Sequence, residues 1–492
     1  MELNELEKLA ESYNVIPVVR RLFSGTETPL GIYQKLCGTR PGTFLLESAE
    51  QGVWGRYSFV GVGSRGNLMA NEQAEWISEN APLPDGELAS DPIDALRQMQ
   101  SRWRSAPSDF PLNSGLVGFI SWGLVGLLEN LPEQKSQSYS LPLFGFNQFS
   151  SLVVLDHQKS ELILVSVIFV EGGALSDKLA GANSELDRLE QEIRRPTESI
   201  ITEPQWPEPE FERETEPEDF LDKVTSAQEY VRIGDVFQVV ISQRFVQEIE
   251  TDALSVYRAL RAVNPSPYMY LTRWEDKLGE FSIVGSSPEA LVKVSGNKAI
   301  THPIAGSRPR GRSANEDIEL ANELLADEKE RSEHLMLVDL ARNDLLKVCD
   351  PGTLEVSEFM QIHRFSHIMH LVSTVEGALR PGTTAVDAML ATFPAGTLSG
   401  APKPRALEII QELEDRYRGL FGGVVGYFDF QGNSDLAIAI RTALVRDGKA
   451  YIQAGAGIVL DSIPKNELEE TLAKASVVLR SVAAANAMDS SA

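Results

Sequence analysis

The chain has 492 residues, and its 71 acidic and 45 basic side chains leave a formal charge of −26. That excludes a sequence-independent nucleic-acid binder, which needs cationic surface to displace phosphate counterions. With 42% hydrophobic and 24% charged residues the chain has material for a large core, so disorder as the dominant state is excluded as well.

Met1 to Glu11 is acidic and amphipathic, unlike a secretory signal. Two cysteines, Cys37 and Cys349, cannot build a disulfide framework, and a reducing, cytoplasmic setting is expected. Short apolar, β-branched runs predict strands at 43–46, 57–62, 151–155 and 162–170, with helices at 92–102 and 174–194. Residues 110–128 carry no charge and approach bilayer-spanning length, but Pro111, Asn113 and four glycines break a continuous helix. Buried strands or a buried turn are expected there, in a soluble protein. Residues 194–219 are rich in proline and glutamate without an apolar period, which predicts an extended, self-repelling linker. The expected organisation is an N-terminal region 1–193, a linker 194–217 and a C-terminal region 218–485.

Beyond the linker, strands are expected at 290–294, 368–375, 423–430, 436–445 and 449–454, and helices at 218–233, 317–344, 384–391, 402–417 and 464–484. Strands follow one another too often for strict βαβ alternation. The expected fold class is therefore α/β (α+β) with a large mixed or antiparallel architecture.

Several patterns could carry chemistry. In the helix opening at Pro464, Glu467, Glu470 and Lys474 share one face, and Glu330 and Glu333 stand three residues apart in an earlier helix. By spacing alone both faces read first as solvated charge with intrahelical pairs, and only weakly as a Mg²⁺ site, although magnesium takes hard oxygen ligands and often only one or two carboxylates. His363, His367 and His370 would converge on a helix, but on a single strand His370 faces away from the other two, which disfavours a transition-metal site. Gly455-Ala456-Gly457 reads as a loop whose backbone could approach an anion, or as a plain turn. Residues 303–311 form a basic, proline-locked turn, and 396–402 lead into a helix N-terminus. A metal-assisted site acting on a small anion with an external nucleophile fits these features better than covalent catalysis.

The blocks FQVVISQR (237–244), GSSPE (285–289), PIAGSRPRG (303–311), SEHLMLVDLARNDL (332–345), HIMHLVS (367–373), AGTLSGAPKPRA (395–406) and QAGAGIVLDSIPKNELEETLAKA (453–475) resemble the chorismate-utilising enzymes, in the family's order. The resemblance implies two large β-sheets packed as a sandwich with helices outside. It implies that Glu333 and Glu470 bind Mg²⁺, with Glu330 and Glu467 beside them, and that Arg441 grips a substrate carboxylate. Gly306, Ser307, Phe421, Gly455, Ala456, Gly457 and Lys474 would be further substrate contacts. Glu289 would act as general acid, joined by His370 and Thr397 as catalytic residues. Leu45 to Ser48 resembles the family's tryptophan-binding segment, with Ser48, Pro267, Tyr268 and Met269 as inhibitor contacts.

Gln238 stands where water-adding relatives carry a lysine base, and Ala305 where others carry a nucleophilic lysine. The implied reaction is conversion of chorismate and ammonia to anthranilate and pyruvate, opening tryptophan synthesis under tryptophan feedback. The nitrogen would come from a glutamine amidotransferase subunit, in a heterotetramer of two synthase and two amidotransferase chains. Phe421 in place of the commoner tyrosine and Ser307 in place of threonine keep an aminodeoxyisochorismate-forming enzyme as the alternative. A silent tryptophan-sensing paralogue is the non-enzymatic one.

Overall fold

Two long antiparallel ladders bend from one sheet into another and so decide the architecture. The computed structural model describes residues 1–49, 55–78, 81, 83, 87–131, 135–197, 201–364 and 368–489. In the first ladder, Tyr57–Ala70 pairs with Phe144–Asp156, and its register shifts between Gly61 and Gly66, where the sequence GVGSRG offers little side chain to hold a flat pleat. Each strand thereby serves two neighbours. Ser58 to Gly61 pair with Phe44–Glu47 and Asn67 to Ala70 with Ala74–Ile77, while the partner strand pairs with Gly115–Ile120 before the bend and Glu161–Phe169 after it.

The second ladder sets Gly279–Ser287 and Ala290–Ser295 against Thr442–Arg446 and Ser434–Ile438. Its pairing runs from Phe281↔Arg446 to Gly285↔Thr442 and resumes at Ala290↔Ala437 with no residue gained or lost at the crossing. One arm of the sheet continues through Lys449–Ile458 to Gln238–Glu248. The other continues through Lys298–Thr301 to Ile368–Ala378, which also pairs with Ile304–Pro309 and Glu355–Arg364. Every ladder between these strands is antiparallel. The two expected sheets are thus arms of one hydrogen-bonded network, and strands on both sides of the linker share ladders: Phe44–Glu47 with Tyr268–Asp276, and Gly115–Ile120 with Val424–Asp429.

Period-two alternation assigns the faces. Phe44, Phe59, Leu152 and Val154 enter a core shared with Val239, Val292 and Leu436 of the two arms. Their neighbours Leu45, Val60 and Val153 meet the helices Pro29–Leu36, Leu175–Arg194 and Pro464–Asp489 on the opposite side.

Most expected elements are present, and the differences have local causes. The helix expected at 317–344 is two helices, Ala314–Ala326 and Glu328–Leu346, because Asp327 ends one and caps the next through the backbone N–H groups of Lys329 and Glu330. The strand expected at 436–445 breaks at 439–441, where Arg441 takes a left-handed φ of 50°. Residues 110–128 form one buried strand, Gly115–Ile120, followed by the short helical turns Trp122–Leu124 and Val125–Leu128. No helix among the described residues is long and apolar enough to cross a membrane. In the linker, residues 201–210 have no regular structure and Glu212–Arg213 joins the edge of Gln238–Glu248.

One buried guanidinium ties the inner helices to the first arm. Arg418, 1% exposed, donates to both Glu414 carboxylate oxygens at 2.8 and 2.6 Å and to the carbonyls of Leu398 and Val240 at 2.7 and 2.8 Å. Glu414 also accepts from Ser242 N–H and Oγ. Arg418→Ala leaves that carboxylate buried without its counter-charge, so urea unfolding is expected to show a loss of about 3–5 kcal/mol.

Candidate active site

The crossing of the second ladder places two oppositely charged side chains together. Glu289 follows Gly279–Ser287, and its carbonyl accepts from Ile438 N–H at 2.9 Å; Arg441, on the facing chain, accepts from Ser286 N–H at 3.2 Å. The short helix Gly396–Ser399 brings Thr397, whose Oγ1 donates to Glu289 Oε1 at 3.0 Å. Burial pushes the Glu289 carboxyl up to about 7, against the opposing pull of Thr397, Arg441 and Lys474. Burial also lowers Arg441, which the Glu289 charge partly offsets. A carboxyl half-protonated near neutrality beside two cations can give a proton to an anion held there.

The second arm adds His370. Ser307 is its register partner, and the bulge between Ala305 and Ser307 is made at Gly306, which has a φ of 69°. His370 Nδ1 lies 3.1 Å from the Gly306 carbonyl, which can only accept, so Nδ1 carries the proton and Nε2 is left as a base. Burial and the nearby Arg441 hold His370 below its usual value, with the Gly306 bond opposing, which favours the neutral ring. Ser307 is exposed on the same turn. His363 belongs to the neighbouring strand Glu355–Arg364 and is the register partner of His370, so the two are not positions on one strand as the sequence reading assumed. His367 lies outside the described residues.

Carboxylates from two helices meet at the same place. Burial raises Glu333, and the charges of Glu330 and Glu470 add to the shift, so Glu328–Leu346 and Pro464–Asp489 share one negative field. Lys474 pairs with Glu470 at 2.7 Å and donates to the Gly455 carbonyl at 3.0 Å. The spacing pattern that could have been plain surface charge is thus drawn together across helices. Among the described residues no group of three or more His, Cys, Asp or Glu side chains is placed to hold a metal ion. The donor set fits a hard dication that takes one or two carboxylates and leaves its other positions to water and an anion.

Gly455, Ala456 and Gly457 correct the sequence reading: they are not a loop but part of the strand Lys449–Ile458. They pair with Ser242, Ile241 and Val240 on one edge, while Thr442–Arg446 pairs along the other only as far as Ile452. Beyond Ile452 that second edge has no strand partner among the described residues, which leaves main-chain groups for a ligand. A Cβ at Gly457 would lie 2.2 Å from Gln238 Nε2, so the Gln238 amide rests on the backbone there. Phe421 is buried with its ring 5.5 Å from the Arg418 guanidinium, on the packed side of the arm.

Ser48, Pro267, Tyr268 and Met269 line a separate cavity of about 570 Å³. The pairing Met269↔Glu47 brings the two segments together. Tyr57, Tyr427, Lys293 and Asp435 complete its walls; they come from scattered strands and had no local signal in the sequence. Ser48 Oγ and Asp435 Oδ1 are buried there without a hydrogen-bond partner among the described residues.

Residues 42–480 match the family model described as chorismate binding enzyme. The chain belongs to this family. Anthranilate synthase component 1 from Arthrobacter globiformis is 47% identical, aligned over 99% of this chain and 93% of that protein. Its counterparts from Mycobacterium tuberculosis and Aquifex aeolicus are 46% and 41% identical, each aligned over 98% of this chain and over 95% and 97% of their own length. The crystal structure of anthranilate synthase component I from Streptococcus pneumoniae superposes with a TM-score of 0.77 at 34% identity, covering 94% of this chain and 99% of that one. The menaquinone-specific isochorismate synthase of Escherichia coli, at 17% identity and a TM-score of 0.70, shares the fold.

The raised Glu289 carboxyl has a stability signature. Between its ordinary 4.5 and about 7 the folded chain binds the extra proton, so this contribution is complete below the lower value and is lost as pH rises through the upper one. Urea unfolding from pH 5 to 8 is expected to show the wild type losing up to about 3 kcal/mol relative to Glu289→Gln.

Proposed function

We propose that the chain is the synthase component of an anthranilate synthase, converting chorismate and ammonia to anthranilate, pyruvate and water. The observation that carries this reading is the half-buried Glu289 carboxyl held by Thr397 beside Arg441. Chorismate is a dianion. The Arg441 guanidinium suits one carboxylate as a planar two-pronged donor, and the open edge at Gly455 to Gly457 suits the other. Glu289 gives its proton to the departing ring hydroxyl. The neutral His370 ring, with Nε2 unprotonated, is placed to take a proton as pyruvate leaves. Gln238 cannot deprotonate water and Ala305 offers no amine, which leaves ammonia as the nucleophile.

Glu333 and Glu470 would hold Mg²⁺. When bound, the ion supplies positive charge to the ring carboxylate of chorismate. Nitrogen is drawn from glutamine by a separate amidotransferase subunit, two of each chain forming a heterotetramer; the component 1 naming of the relatives supports a partner. Tryptophan is the inhibitor: aromatic walls from Tyr57, Tyr268 and Tyr427 suit the indole, and Asp435 Oδ1 and Ser48 Oγ suit the amino-acid head.

With chorismate, Mg²⁺ and ammonium, the protein is expected to release anthranilate, followed by fluorescence, and equimolar pyruvate. Glu289→Gln should lower that rate about 10²–10⁴-fold. Chorismate consumption without either product would overturn the assignment. Glu470→Ala is expected to lose magnesium-dependent turnover, and unchanged activity would refute the metal site. Tryptophan should weaken chorismate binding, and Ser48→Phe, which fills the cavity, should abolish that response without abolishing turnover.

A further inference from the structure

Behind Glu289, on the side of the helix Glu328–Leu346, lies a second and much smaller cavity of about 60 Å³. Glu289, Thr397, Thr301, His302, Asp344 and Thr392 are among its lining residues. Thr301, 6% exposed at the end of Lys298–Thr301, has an Oγ1 that is buried without a hydrogen-bond partner among the described residues. Thr392 Oγ1 is already committed to the carbonyls of Ala388 and Met389, and Asp344 to Lys403 and Lys347. A buried hydroxyl left unpaired costs stability, and a cavity of this size has room for one water beside its few polar groups, although most of its wall is apolar.

We propose that this cavity is a water site, in which Thr301 Oγ1 holds a water molecule against the Glu289 carboxyl. This rests on the reading of Glu289 as general acid. When the ring C–O bond breaks, its electron pair stays on oxygen and the Glu289 proton completes a water molecule, leaving a carboxylate. The ammonia that has joined the ring must shed one proton. The ammonium proton goes to solvent, and the held water passes a proton to the Glu289 carboxylate while taking one up from solvent in its place, so the acid is restored, no hydroxide is left and the count balances. Thr301 is a positioning residue: it touches the water and not the substrate. The other groups acting on Glu289 are Thr397, Arg441 and Lys474, with His302 and Asp344 on the cavity wall. His302 faces Thr374 Oγ1 through Nδ1 at 3.2 Å and also borders the large cavity, so it separates the two.

Thr301→Val keeps the shape and removes the hydroxyl. With water in the cavity, the variant should turn over chorismate roughly five- to tenfold more slowly, with the alkaline limb of its kcat/KM profile moved to higher pH because the carboxylate loses a solvating partner. Its Tm should not rise, and Thr301→Ser should restore the rate. A dry cavity predicts the reverse: Thr301→Val removes an unpaired buried hydroxyl, raises Tm and leaves rate and pH profile unchanged, which would overturn the proposal. A high-resolution crystal structure of the full chain decides the same point without activity, through ordered density within hydrogen-bond reach of Thr301 Oγ1 and Glu289, or its absence. Full activity in Glu289→Gln would instead defeat the general-acid reading alone.

Discussion

The second bent ladder is the constraint on which the rest of the molecule depends. Because the register that pairs Gly279–Ser287 with Thr442–Arg446 is kept across the crossing to Ala290↔Ala437, and shifts only beyond it between Ala290 and Val292, the residues at the crossing are fixed from both sides. Glu289 and Arg441 are those residues. Strand ladders hold side-chain direction through hydrogen bonds that cannot shift singly, so an acid and a guanidinium are set close together by main-chain pairing rather than by loop packing. The helices then complete the arrangement: Arg418 fixes Leu398 and with it Thr397, and the Gly306 turn rests against Glu330 of the helix that carries Glu333.

A chain with a net charge of −26 that is organised to receive a dianion looks contradictory only if charge is averaged over the surface. Field strength at a buried point depends on the nearest groups and on the exclusion of water. Arg441 is half-buried and Lys474 reaches from an exposed helix position to the Gly455 carbonyl, while the acidic excess lies largely elsewhere or is gathered at Glu330, Glu333, Glu467 and Glu470. Desolvation does two opposite things here: it keeps a proton on Glu289 and keeps one off His370. Proton donor and proton acceptor coexist near neutral pH because burial penalises whichever form is charged.

Much of the secondary structure was legible because periodicity and caps are local. The helix Pro92–Arg102 agrees with its expected bounds, and Ala385–Thr392 begins after Thr384, which forms a capping box with Asp387 in the first turn. The breaks were harder to read. Asp327 looks like one more acidic helical residue until its cap is seen, and the run from Leu436 to Val445 gives no sign that it changes sheets at Arg441. Glycines misled at 455–457 because a glycine-rich strand and a turn have the same composition; the partner strand decides between them. The candidate site was readable where motifs resembled a family. Residues such as Thr301, Lys293 and Asp435, recruited from separate strands, lay beyond any local pattern.

Continuity of the crossing ladder also bears on how such a protein can diverge. A one-residue insertion or deletion between Ser286 and Ala290, or between Ile438 and Thr442, would turn every following side chain to the opposite face and separate the acid from the guanidinium at once. These two short stretches can change in chemistry, residue by residue, but not in length. Variation in length is left to segments such as 201–210, where no ladder counts residues. New specificity among related sequences would therefore arise here by substitution within a frozen frame.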